Sequence, residues 1–231
     1  MTENDELNNQ HIFVTGGASP TGAAVVRRAL LAGAKVSFVD IDQIGGSNLE
    51  KELRGAGFDV AFSAVDVTDY PQLEKAFQSF VSQFGPVSGI VNNANIKASY
   101  DAVEMNEAQW EELFGVDLKA IWYTAKLALP AMRQAQRGAI VSLGSMHASR
   151  TAEDNFPYSA AKSALIGITR NLAINEGQFN IRANVISVGY QEKVDPVNIA
   201  HVAIFLLSEG ASFVSGSDWP VDGGLSARSA R

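Results

Sequence analysis

Short apolar runs and longer amphipathic segments alternate along almost the entire chain. The runs at 11–15, 35–40, 59–64, 89–92, 138–143, 181–187 and 217–221 are mostly Val, Ile, Phe and Ala and are bounded by Gly, Asn or Asp. Runs of this length and continuity predict strands buried on both faces, as in a parallel sheet. Between them, 20–32, 45–56, 70–84, 107–136, 156–178 and 196–208 carry apolar residues at helical spacing, with Thr68 or Asp69 and Asp195 placed as N-caps. Strands alternating with helices require right-handed crossovers, so the fold class is α/β: a doubly wound parallel seven-stranded sheet with helices on both faces. Ligands of such sheets bind beyond the strand C-termini, where the winding reverses.

No repeat, low-complexity tract or Pro/Ser-rich linker divides the 231 residues, which we read as one domain with flexible ends at 1–10 and 226–231. At 46% hydrophobic and 19% charged residues the chain can bury a sizeable core. A net charge of −7 with dispersed basic residues gives no cationic face, so neither nucleic acid nor membrane is expected as a partner. Cysteine is absent, which removes disulfides, thiolate nucleophiles and thiolate-bound zinc; His11 and His201 are too scattered to suggest a metal site, and His147 reads as a lining or surface residue. The opening MTENDELNNQ has neither a basic start nor an apolar run, so the expected compartment is the cytoplasm.

Chemistry first shows at Thr15-Gly16-Gly17-Ala18-Ser19-Pro20-Thr21-Gly22, between the first strand and the first helix. Glycines there let backbone approach a pyrophosphate, and the helix N-terminus offers free N–H groups and the positive end of its dipole. The spacing resembles the T-G-x-x-x-G-x-G loop of the short-chain dehydrogenase/reductase family, a Rossmann-type fold. Pro20 replaces the family's middle glycine, but as the first helical residue it loses only an N–H that would be unpaired, and the Thr21 N–H remains. The resemblance implies dinucleotide contacts from Gly16, Ser19, Thr21 and Gly22. Asp40, ending the second strand, can accept both ribose hydroxyls and repel a 2′-phosphate; neither Ser19 nor Ile41 supplies a cation, so the expected cofactor is NAD and not NADP.

The resemblance continues in Asp66-Val67, similar to the family's adenine-contacting pair, and in Asn92-Asn93-Ala94-Asn95, similar to its N-N-A-G turn, with cofactor contact implied for Asn93 and Ala94. Asn95 replaces glycine; asparagine tolerates left-handed backbone better than most residues, which would preserve the turn. Tyr158 and Lys162, four apart in Tyr158-Ser159-Ala160-Ala161-Lys162, share a helix face, so an ammonium can favour the ionised phenol. Ser145 lies thirteen residues before Tyr158, as in the family's catalytic pattern. That pattern implies that Ser145 orients the substrate oxygen, Tyr158 exchanges its proton, and Lys162 also holds the nicotinamide ribose. Ile181-Arg182-Ala183-Asn184-Val185-Ile186 and Val221-Asp222-Gly223-Gly224 extend the resemblance to the last strands.

Two departures bear on turnover. Asp117 stands where the family places an asparagine that helps a proton relay reach the lysine. Near Lys162 its carboxylate would offset the ammonium and repel a tyrosinate, so Tyr158 is expected to titrate high and alcohol oxidation to have an alkaline optimum. Only Tyr190 to Asp195 separate Val188-Gly189 from the helix opening at Pro196, an interval in which relatives carry a helical lid. Ile96, Met146, Phe156 and Tyr190 are left as apolar or aromatic substrate-side candidates. The expected activity is NAD-dependent interconversion of a secondary alcohol and a ketone. A catalytically impaired dinucleotide-binding or regulatory protein is the alternative, and lyase or isomerase chemistry at the same Tyr/Lys pair a third. Trp110, Phe114, Ile121, Leu165 and Ile168 spread apolar surface over more than one helix face, and the family resemblance implies dimers or tetramers, so a homotetramer is expected, with a dimer next.

Overall fold

A computed structural model describes residues 6–189 and 194–227. The strands are β1 (His11–Thr15), β2 (Lys35–Asp40), β3 (Val60–Ala64), β4 (Gly89–Asn92), β5 (Gly138–Ser145), β6 (Ile181–Val188) and β7 (Asp218–Val221). They form one sheet in the order β3-β2-β1-β4-β5-β6-β7, every neighbouring pair parallel. The chain winds outward from β1 in one direction and from β4 in the other. Thr15 and Asn92, the last residues of these two strands, are register partners, so the loops that follow them emerge side by side.

The helices are α1 (Pro20–Leu31), α2 (Gln43–Gly55), α3 (Tyr70–Phe84), α4 (Glu107–Phe114), α5 (Ala120–Ala135), α6 (Tyr158–Glu176) and α7 (Pro196–Leu207). One core layer joins Val25, Val26 and Leu30 of α1, Leu49 and Leu53 of α2 and Ile199, Ala203, Ile204 and Leu207 of α7 to one sheet face. The other joins Leu73, Phe77 and Phe80 of α3 and Ala125, Ala128 and Met132 of α5 to the opposite face. Strands covered twice must be apolar on both sides, which is why β1 is buried at every position. No described helix is long and apolar enough to cross a membrane.

The expected helix over 107–136 is interrupted by a π-helical turn, Gly115–Lys119, closed by an Ala120 N–H to Gly115 carbonyl bond. Such a turn widens the helix by one residue and re-aims the side chains within it, here turning Asp117 inward. The flexible start expected over 1–10 does not reach back through residues 6–10: Leu7 is fully buried, and its N–H donates to Ala32 at 2.9 Å. At the other end, Ser226 donates its N–H to Asp222 Oδ2 at 2.8 Å, so the flexible tail expected from 226 meets an anchored residue there. Residues 1–5 and 228–231 lie outside the described residues.

Candidate active site

The loop after β1 is shaped by contacts that exclude side chains. Gly16 adopts φ +64°, and a Cβ there would lie 2.9 Å from Ala94 backbone; at Gly22 it would lie 2.0 Å from the Gly16 carbonyl oxygen. Ser19 caps α1: its Oγ accepts the Gly22 N–H at 3.1 Å and donates to the Gly16 carbonyl at 2.8 Å. Pro20 occupies the first helical turn, as its chemistry predicts. The Thr21 N–H has no acceptor among the described residues and lies at the mouth of a cleft, which is the arrangement an anionic phosphate requires.

Asn93 secures this loop from the neighbouring strand. Its Nδ2 donates to the Gly16 carbonyl at 2.6 Å and reaches Thr15 O and Ser19 Oγ at 3.1 Å, while Thr15 Oγ1 accepts the N–H groups of Asn93 and Ala94. The Asn93 amide therefore fixes the loop's shape. Asp40 does likewise from β2, its Oδ2 accepting the Ala18 N–H at 2.9 Å and its Oδ1 the Asp42 N–H at 3.0 Å.

These loops border a cleft of about 720 Å³. Gly16, Ser19, Thr21, Asp40 and Ile41 line it on one side, and Asp66, Val67, Asn93 and Ala94 on the other. Gly22 is buried behind the loop and acts through close packing. Sequence reasoning missed Glu111 and Glu112, which α4 brings to the same wall, and Pro196 at the start of α7. Four carboxylates (Asp40, Asp66, Glu111 and Glu112) thus face the cleft, and no lysine or arginine is among its described lining residues.

At the far end of the crevice, β5 ends on Ser145 and α6 begins with Tyr158. Tyr158 lines a small chamber of about 20 Å³ together with Thr21, Asn93, Asn95, Gly144 and Val188. Lys162, one turn along α6, is buried, with Nζ 5.4 Å from the Tyr158 ring centroid and 3.4 Å from the Leu143 carbonyl oxygen. Asp117 Oδ2 lies 3.6 Å from that Nζ, too long for a hydrogen bond but within ion-pair range, and has no hydrogen-bond partner among the described residues. Asp117 Oδ1 accepts the Ile96 N–H at 2.8 Å. All four side chains named for chemistry, Asp117, Ser145, Tyr158 and Lys162, are therefore brought together and withdrawn from water.

Burial governs their titration. The Tyr158 phenol is pushed up to about 12, first by desolvation and next by the Asp117 charge, with a side-chain hydrogen bond from Ser145 opposing both. Burial also raises the Asp117 carboxyl against the pull of Lys162 and the Ile96 N–H, and lowers the Lys162 ammonium against the pull of Asp117. The Asp117 charge acts on Tyr158 in the direction expected from sequence, but desolvation is the larger cause.

His147 packs edge-on against Tyr158, ring centroids 6.2 Å apart, as a lining residue. His11 is structural, with Nε2 2.7 Å from Ser37 Oγ and Nδ1 2.8 Å from the Gly85 carbonyl oxygen. Arg27 pairs with Glu52 across the helix surface. Ile96 borders the large cleft and Phe156 is exposed, whereas Tyr190 lies outside the described residues. Left-handed backbone is not what Asn95 supplies: among the described residues, those with positive φ other than glycine are Asn9, Gln136, Asp154 and Asn180.

A family model described as short chain dehydrogenase matches residues 10–196. A 2-(S)-hydroxypropyl-CoM dehydrogenase of Xanthobacter autotrophicus is 29% identical, with 96% of this chain and 99% of that protein covered. The levodione reductase of Leifsonia aquatica is 29% identical, with 94% of each covered. Those alignments run over 252 and 250 positions, more than the 231 residues here, so these relatives carry segments with no counterpart in this chain. Among solved structures, a blue fluorescent protein from a metagenomic library, in complex with NADPH, superposes with a TM-score of 0.86 at 29% identity over 95% of this chain and 99% of that one.

Proposed function

Because the chain belongs to the short-chain dehydrogenase family of oxidoreductases, we propose that it interconverts a secondary alcohol and a ketone with NAD as cofactor and Tyr158 as the acid/base. One observation carries this reading: Tyr158, with Ser145 and Lys162 packed beside it, lines a small chamber that shares Thr21, Asn93 and Asn95 with the large cleft, so the helix N-terminus stands between the two. The Gly16 backbone on the cleft wall, the free Thr21 N–H and the strand-end Asp40 suit a dinucleotide. Gly16, Ser19 and Thr21 would hold its pyrophosphate, Asp40 and Ile41 its adenosine ribose, Asp66 and Val67 its adenine, and Asn93, Ala94, Tyr158 and Lys162 its nicotinamide side. Bound there, the nicotinamide supplies the hydride acceptor or donor.

The chain's own part is proton transfer and placement. Ser145 offers its hydroxyl to the substrate oxygen, while Tyr158 Oη gives a proton to that oxygen in reduction and takes one in oxidation. With its pKa held near 12, the phenol is protonated at neutral pH, which favours its role as acid and hence ketone reduction. Lys162 is the nearest cation, and Asp117 beside it weakens its help to the tyrosinate.

NAD is preferred over NADP on the chemistry of the cleft wall, although a solved relative holds NADPH. Two unit charges 4 Å apart repel by about 4 kcal/mol at an effective dielectric of 20. Solvent screening at half-buried Asp40 reduces this, leaving a preference of about tenfold or more, equal to ~1.4 kcal/mol. Titration with NADH and with NADPH, followed by a panel of alcohols and ketones, tests the proposal; equal dissociation constants would overturn the cofactor choice. Binding without turnover would favour a regulatory dinucleotide-binding protein, a reading supported by Asp117 and by the short connection before Pro196. We also place the protein in the cytoplasm as a homotetramer, or failing that a dimer, because Trp110 and Trp122 stand exposed on α4 and α5.

A further inference from the structure

The turn after β4 carries three asparagines, and two of them are fully engaged by the protein. Asn92 donates to Ser142 Oγ at 3.1 Å and accepts from Thr124 Oγ1 at 2.7 Å, while Asn93 holds the glycine loop through Nδ2. Asn95 differs: its half-buried carboxamide makes no hydrogen bond to any described residue. A carboxamide brings two donors and an acceptor, and at this half-buried position they are open to water or to a ligand that replaces it. Turn geometry does not account for the residue either, since its φ is not positive.

Its place in the crevice does account for it. Asn95 lines both the large cleft and the small chamber at Tyr158, as do Thr21 and Asn93, so these three form the neck between them. A dinucleotide reaching from Asp40 to Tyr158 must pass this neck. The backbone on either side of Asn95 is pinned, Ala94 N–H to Thr15 Oγ1 at 3.1 Å and Ile96 N–H to Asp117 Oδ1 at 2.8 Å. A polar group on so fixed a support is pre-organised and not free to seek other partners.

We propose that Asn95 is a positioning residue for the nicotinamide half of the dinucleotide, its carboxamide exchanging hydrogen bonds with the nicotinamide-ribose hydroxyls. This rests on the dinucleotide-binding reading above. A ribose diol offers both O–H donors and acceptor oxygens, the complement of an amide. Glycine or alanine at this position would leave the adenine half unaffected and loosen the other.

The test is equilibrium binding of NADH, followed by its fluorescence, and of ADP, which lacks the nicotinamide half, to the wild type and to Asn95→Ala. The expected result is NADH binding weakened about tenfold in the variant, ADP binding within about twofold of wild type, and an unchanged melting temperature. Unchanged or tighter NADH binding would overturn the proposal, the latter making Asn95 an obstruction. Equal weakening of ADP would also overturn it, by placing the effect in the turn itself. If the wild type binds neither NADH nor ADP, the dinucleotide reading fails and this proposal with it, whereas ADP binding alongside an indifferent Asn95→Ala sinks only the proposal.

Discussion

The two ends of the crevice are built by opposite means. At the glycine loop, shape is set by hydrogen bonds to the backbone and by atoms that leave no room: Ser19, Asn93 and Asp40 each satisfy backbone partners, and Gly22 meets the Gly16 carbonyl. At the Tyr158 end, buried ionisable groups are held near one another, and one carboxylate oxygen lacks a hydrogen bond. The first arrangement fails when volume changes, the second when charge changes. A structure can thus hold its ligand rigidly at one end and keep a responsive proton site at the other.

The largest expected effect comes from Tyr158→Phe, which removes the acid/base with almost no change of volume. Turnover is expected to drop by roughly 10²–10⁴-fold with NADH binding retained within a few fold, as read by steady-state rates beside a binding titration. Activity surviving this change would remove Tyr158 from the chemistry.

Next is Gly22→Ala at the steric end. An added Cβ 2.0 Å from the Gly16 carbonyl oxygen forces loop and helix apart. NADH affinity is expected to fall by roughly 100-fold, the equivalent of ~2.7 kcal/mol, with a lowered melting temperature from overpacking. Wild-type affinity in this variant would show that the loop yields and would erase the contrast between the ends.

The smallest effect in size, though the most specific, is that of Asp117→Asn on pH dependence. In alcohol oxidation Tyr158 must be ionised, so a raised pKa moves the rising limb of the rate profile to alkaline pH. Removing a nearby negative charge lowers that pKa, and the limb is expected to move down by about one unit, which corresponds to 1.36 kcal/mol. Loss of the counter-ion also lets Lys162 deprotonate more easily, so an upward or absent shift would show that the lysine charge, and not Asp117, dominates the phenol.

The seven parallel strands and their crossovers were legible because strands covered on both faces must be apolar throughout, and the runs at 35–40 and 89–92 coincide with β2 and β4. Of the cluster Ser145, Tyr158, Lys162 and Asp117, spacing alone gave only the shared helix face of Tyr158 and Lys162, and the family resemblance supplied Ser145 and Asp117. The π-helical turn was not, since apolar spacing over 107–136 reads the same whether one bond in the ladder skips a residue or not. Nor were Glu111 and Glu112, which are charged helix residues in sequence and become cleft wall only through the docking of α4. In the strand-end turn 92–95, the resemblance marked Asn93 and Ala94 for the cofactor and left Asn95 as a turn former in place of glycine. Only the hydrogen-bond partners of Asn92 and Asn93 set Asn95 apart.

The single bond from the Ile96 N–H to Asp117 Oδ1 joins those two ends. One side of it is the floor on which a dinucleotide would rest; the other is the carboxylate that shares its field with Lys162 and Tyr158. Were a bound dinucleotide to shift Ile96, it would change a hydrogen bond that lowers the Asp117 pKa, and by thermodynamic reciprocity protonation of Asp117 would change dinucleotide affinity. Cofactor capture and proton inventory would then be two readings of one linkage, carried by a single backbone amide.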